Sequence, residues 1–168
     1  MTATPMTPEQ IVAPIADPRA AADLEAGFIL ATVEVAGDPQ RVFQALASPE
    51  ITQWWARQGV FDTRTWEGDV FVGGLWEATG VGPAGPYKLN GEFLEVQAPR
   101  RLVQTWNDPQ WPDCTSTFSY DLAPTASGTR ITLRHEGGFA LPLICANTCL
   151  GWESSLARLI EVLTTERA

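Results

Sequence analysis

The sequence predicts an α+β fold in which a curved antiparallel β-sheet wraps around a long C-terminal α-helix, with two short helices after the first strand. Three observations carry this prediction. Between residues 63 and 136, strand-like runs follow one another through short turns rich in Gly, Pro and Asp, which is the mark of antiparallel pairing. From about Cys145 to Glu166, apolar residues recur at three- and four-residue steps, which describes an amphipathic helix. The chain has 168 residues, 45% of them hydrophobic, enough for one domain with a sizeable core.

The elements follow in order. Residues 1–27 carry Pro5, Pro8, Pro14 and Pro18 and read as an N-terminal extension, largely extended or mobile. Within it, Asp17, Pro18 and an alanine-rich run before Gly27 suggest one short helix. The domain proper is expected over 28–168. Phe28–Ala36 is rich in β-branched residues and reads as a strand. Asp38 as N-cap and Pro39 at the first helical position start a helix, and Ser48-Pro49-Glu50 start a second, carrying Ile51, Trp54 and Trp55. Strands are expected at Thr63–Glu67, Val70–Thr79, Tyr87–Val96, Leu102–Asn107, Thr115–Leu122 and Thr129–Glu136. Gly80–Gly85 reads as a hairpin loop between two of them. In the closing helix Cys145, Cys149, Trp152, Leu156, Leu159, Ile160 and Leu163 form the apolar stripe, with Glu153, Arg158, Glu161 and Glu166 opposite.

Charge and composition narrow the function. The net charge is −9, and Lys88 plus ten arginines are the whole basic complement, so a nucleic-acid partner is not expected. No apolar run approaches the roughly 20 residues of a membrane-spanning helix. Residues 1–10 lack the basic start and apolar stretch of a signal peptide, so the expected location is cytoplasmic and no membrane association is expected. Cys114, Cys145 and Cys149 contain no Cys-x-x-Cys pair, which points away from a disulfide framework or a zinc module. Neither a metal nor a cofactor is expected.

Catalytic motifs do not stand out. There is no Gly-x-Ser-x-Gly, no His-Glu-x-x-His, and Gly80–Gly85 lacks the Lys-Ser/Thr of a phosphate loop. Glu92 and Glu95 fall on opposite faces of one strand and cannot act together on one bond.

Several motifs, in order along the chain, resemble one family. They are Val33–Glu50 with Trp54-Trp55; Gly73-Gly74-Leu75-Trp76; Gly91–Val96 with Pro99; Arg101–Trp106; Gly128-Thr129 with Leu133; and Gly151-Trp152. Together they resemble the SRPBCC, or START-like helix-grip, superfamily over about residues 28–165, in the branch named for activators of the Hsp90 chaperone ATPase. The resemblance implies the helix-grip fold, with a space between sheet and helix that is filled by side chains or holds a ligand.

Strand alternation selects the residues facing that space. Phe118 and Tyr120 share one face of their strand, and Ile131, Leu133 and His135 share one face of the next. Trp76, Phe93 and Trp106 come from the middle strands, and Trp152 and Leu156 from the helix. Trp55, Trp76, Phe93, Trp106, Phe118, Tyr120, His135, Trp152 and Leu156 form the expected ligand-binding set, because small-molecule sites are concave, apolar and aromatic. Trp111, in a Pro-flanked loop, lies outside it. His135 is the only histidine. It can be an acid, a base or a ligand donor, or a satisfied histidine at a strand end.

The leading expectation is therefore non-enzymatic binding of a small hydrophobic molecule between sheet and helix. The alternatives are a protein-interaction, co-chaperone-like module with a protein partner, and an enzyme of the polyketide cyclase type.

Overall fold

The computed structural model describes residues 19–57, 59–109, 112–137, 139 and 142–167. The chain runs β1 (Arg19–Asp23), β2 (Phe28–Val35), α1 (Pro39–Leu46), α2 (Ile51–Trp54), β3 (Ala56–Arg57), β4 (Phe61–Gly68), β5 (Leu75–Gly82), β6 (Gly85–Gln97), β7 (Arg101–Trp106), β8 (Ser116–Pro124), β9 (Thr129–Glu136) and α3 (Pro142–Arg167). The nine strands form one antiparallel sheet in the order β1-β2-β9-β8-β7-β6-β5-β4-β3. α1 and α2 carry the chain from the β1–β2 edge to the β3 edge, and α3 packs against β1, β2, β3 and α2. This is the expected α+β helix-grip architecture.

Each element has a local cause. Asp38 Oδ1 accepts the Arg41 amide at 2.8 Å, and Pro39 starts α1 where no amide proton is needed. On β2, Ile29, Ala31, Val33 and Val35 alternate inward, and on β9 Thr129, Ile131, Leu133 and His135 do the same. The α3 stripe is buried as its spacing predicts, at Cys145, Cys149, Trp152, Leu156, Leu159 and Leu163. Register shifts between Thr63 and Thr65 and between Phe93 and Glu95 bend β4 and β6. β6 pairs with β5 through its first half and with β7 through its second, so the bend at Phe93 turns the sheet around the helix.

Four expectations are corrected. The alanine-rich run before Gly27 is a strand, not a helix, and the sheet begins at Arg19 rather than at Phe28. Ala20 and Ala21 are buried, the Ala20 amide donates to Glu153 on α3 at 3.0 Å, and Asp23 caps the turn to β2. Pairing with β2 and α3 thus overrides alanine's helix preference. Asp17 and Pro18, with the rest of residues 1–18, lie outside the described residues. The strand expected from Val70 begins only at Leu75, because the Asp69–Gly74 segment folds into a turn closed by Gly74 N to Phe71 O. The Gly80–Gly85 loop shrinks to Pro83-Ala84, since both strands run on to Gly82 and Gly85. One further element has no counterpart among the expected strands: the two-residue β3 is too short to show any period.

Candidate functional site

Trp55, Trp106 and Trp152 arrive from three elements and meet in one cluster. Trp55 follows α2 directly, Trp106 ends β7, and Trp152 lies in α3. Trp55 stacks on Trp152 with centroids 5.9 Å apart, and meets Trp106 edge-on at 5.1 Å. Behind them Phe118 touches Trp76, Trp106, Tyr120 and Trp152, all at 5.6–6.1 Å. Trp76 is seated by its cross-strand partner Gly91. A Cβ there would collide with the Trp76 indole nitrogen and with the Thr105 carbonyl, to which that nitrogen donates at 3.0 Å.

His135 lies inside this cluster, 1% exposed. Its Nδ1 accepts from the Trp152 indole N–H at 3.0 Å, and its Nε2 is 2.7 Å from Ser116 Oγ. An indole nitrogen can only donate, so Nδ1 carries no proton and the neutral ring holds its proton on Nε2, donating to Ser116. Burial pushes the imidazole down to about 3. A ring in this tautomer cannot take the Ser116 proton, so the pair is not an activated nucleophile. Of the two readings of His135, the geometry supports the satisfied core residue. Burial likewise pushes the Tyr120 hydroxyl far above its usual value.

The open space lies to one side of the cluster, not under the middle of the helix. A cavity of about 530 Å³ opens between β4, the β5–β6 hairpin, the end of β7 and the first turns of α3. Trp55, Trp106 and Trp152 form its indole wall, with Phe61, Tyr87, Leu89 and Ile144 adding apolar surface. Gly151 keeps the helix close there: a Cβ would stand 3.3 Å from the Phe61 ring. Tyr87 leans over Gly80, where any Cβ would strike its ring, and its hydroxyl bonds Thr63 Oγ1 at 2.8 Å. Burial raises that phenol, partly offset by the Thr63 hydrogen bond. The polar groups on the wall include Arg57, Asp108, Asn147 and Thr148.

Of the nine residues expected to bind a ligand, Trp55, Trp106 and Trp152 line this cavity. Trp76, Phe93, Phe118, Tyr120, His135 and Leu156 are packed into the core, all 3% exposed or less. The continuous void expected among Phe118, Tyr120, Trp106 and Trp152 is occupied by the rings themselves. Arg57, Phe61 and Tyr87 belong to the wall and had not been singled out. Gly151 gave one usable signal, because a glycine inside a helix marks a close neighbour, here Phe61. Trp111 lies outside the described residues. Cys145 and Cys149 are buried free thiols, and burial, aided by Glu153 and Cys145, pushes Cys149 up to about 12. Among the described residues no group of three or more His, Cys, Asp or Glu side chains could hold a metal ion, and no helix is long and apolar enough to cross a membrane.

A nine-stranded sheet curled around one long helix, with an aromatic-walled cavity at one end of the grip, defines a protein of the SRPBCC, START-like class. The chain belongs to the family described as Activator of Hsp90 ATPase homolog 1-like protein, whose model matches residues 36–164. Solved structures share the fold. A Chromobacterium violaceum protein is 24% identical, covering 82% of this chain and 97% of its own, with a TM-score of 0.72. A Rhodobacter sphaeroides protein is 18% identical, covering 89% and 99%, at 0.73. A Mycobacterium smegmatis protein is 23% identical, covering 91% and 99%, at 0.70. No curated protein matches the sequence.

Proposed function

We propose that the protein is a non-enzymatic, cytoplasmic binder of a small hydrophobic molecule, which it holds in the cavity walled by Trp55, Trp106 and Trp152. The observation that carries this is the cavity itself. Its volume of about 530 Å³ falls in the range of small-molecule sites, and three indoles meet on its wall. The neutral, doubly bonded His135 supports a binding role over an acid–base one. Three free thiols fit a reducing compartment. Burying a few hundred square ångströms of ligand surface at about 25 cal/mol per Å² suffices for micromolar affinity after association costs.

One observation favours the interaction-module reading as a second. Phe71 and Val72 in the β4–β5 turn, Leu75 at the start of β5 and Leu94 on β6 are 45–67% exposed. The turn is tied to Phe93 by two backbone hydrogen bonds, which bring Leu94 beside it. Exposed apolar clusters of this kind mark contact surfaces.

The two readings separate in a fluorescence titration against a library of hydrophobic compounds. Binding in the cavity quenches tryptophan emission, is weakened by Trp106→Leu and is indifferent to Val72→Asp. A library that never perturbs the emission, together with a protein partner whose capture Val72→Asp abolishes, removes the small-molecule reading.

A further inference from the structure

We propose that the cavity is built for an aromatic carboxylate, with Arg57 as the partner of the acid group. The proposal rests on the small-molecule reading above and adds the chemical class of the ligand.

The first observation is the state of Arg57. It lines the cavity wall, half-buried, and makes no ion pair with any described residue. By contrast Arg41, Arg64, Lys88, Arg101, Arg130 and Arg134 each hold a carboxylate, and Arg100 and Arg158, which hold none among the described residues, are exposed. In a chain with 20 acidic side chains against 11 basic ones, a half-buried arginine left without a carboxylate is conspicuous. Backbone pairing holds it in place: Arg57 lies opposite Phe61 in the β3–β4 ladder, and its carbonyl accepts the Val60 amide at 2.9 Å. Arg57, from the two-residue β3, and Phe61, from the start of β4, therefore reach the same wall as paired residues of one ladder.

The second observation is what the other polar groups on the wall already do. The Tyr87 hydroxyl is engaged with Thr63, and the Thr148 hydroxyl donates back to Ile144 O at 2.8 Å. Asp108 has an interaction of its own. The exposed Asn147 amide and the Arg57 guanidinium remain, and only the guanidinium is charged, with five donors in a planar fork and no acceptor, a shape that fits a carboxylate through two parallel hydrogen bonds. The rest of the wall is indole, phenol and aliphatic surface, which suits a flat aromatic body. The net charge of −9 at long range and Asp108 on the same wall both oppose an anion, so the preference must come from Arg57 itself.

Isothermal titration calorimetry with 2-naphthoate, its neutral isostere 2-naphthamide and the cation 2-naphthylmethylammonium tests this on the full chain. The wild type should bind the acid about tenfold or more tightly than the amide, as expected for a hydrogen-bonded charge pair. Arg57→Met should reduce the acid to the amide's affinity and leave the amide within about twofold. Because Arg57 holds no ion pair among the described residues, the variant should keep the wild-type melting temperature. Equal affinity for acid and amide in the wild type, a preference that survives Arg57→Met, or tightest binding of the ammonium overturns the carboxylate proposal alone. If none of the three probes binds, the small-molecule reading falls with it.

Discussion

The indole N–H of Trp152 donates to Nδ1 of His135 across 3.0 Å, joining the C-terminal helix to the last strand through the middle of the aromatic core. The bond fixes the tautomer of the ring, leaves Nε2 to donate to Ser116, and makes the only histidine of the chain part of the packing.

Acid should therefore destabilise the protein through His135. The folded ring titrates at about 3 and the unfolded one near 6.5. The contribution of the neutral ring is complete above the unfolded value and is lost as the pH falls from there towards the folded one. The steepest loss is about 1.4 kcal/mol per pH unit. In urea unfolding, the advantage of the wild type over His135→Gln should shrink by about 2 kcal/mol between roughly pH 7.5 and pH 5. An advantage that does not change with pH contradicts the buried neutral ring.

Trp152 is expected to behave as a core residue, although one edge of it faces the cavity. Trp152→Ala should cost about 3–5 kcal/mol in urea unfolding. Trp152→Phe keeps a ring but leaves Nδ1 without its donor, and should cost about 1–3 kcal/mol. A loss near zero for both would show that the indole lines a void and packs against nothing.

Gly91→Ala should destabilise the protein, because the new methyl meets the Thr105 carbonyl as well as the Trp76 indole. Overpacking of this kind costs about 1–3 kcal/mol. Adding Trp76→Phe should not restore the loss, since the backbone collision remains. Full restoration would place the whole conflict in the side chain.

The thiols offer a chemical check. Cys145 and Cys149 are buried, and burial raises both above the usual thiol range. Cys114 is only partly covered. A thiol reagent should titrate no more than one equivalent in the native protein and all three in urea. Rapid native reaction of all three would show that α3 opens readily from the sheet.

Much of the fold was legible, because the periods of β2, β8, β9 and α3 are set by burial on one side, and Asp38-Pro39 starts a helix by local chemistry alone. β1 was not legible, because alanines favour a helix until β2 and Glu153 supply better partners. The site was legible in part. Alternation correctly turned Phe118, Tyr120 and His135 inward, but inward residues can fill a space as well as line it, and six of the nine expected residues fill it. Only packing distances between rings from different strands distinguish the two outcomes, and no pattern along one strand encodes them. Arg57 was missed because its meaning depends on the carboxylates it does not meet.

The central claim is that a small hydrophobic molecule binds against Trp55, Trp106 and Trp152, and the indole N–H signals of the seven tryptophans test it most directly. In a two-dimensional ¹H–¹⁵N spectrum titrated with 2-naphthamide, the signals of those three indoles should shift together and saturate. Those of Trp54 and Trp76, held by the Ala45 and Thr105 carbonyls away from the cavity, should stay near their free positions. If the three signals stay fixed while the amides of Phe71, Val72 and Leu75 move, the ligand sits on the outer apolar cluster and the account of the cavity is wrong.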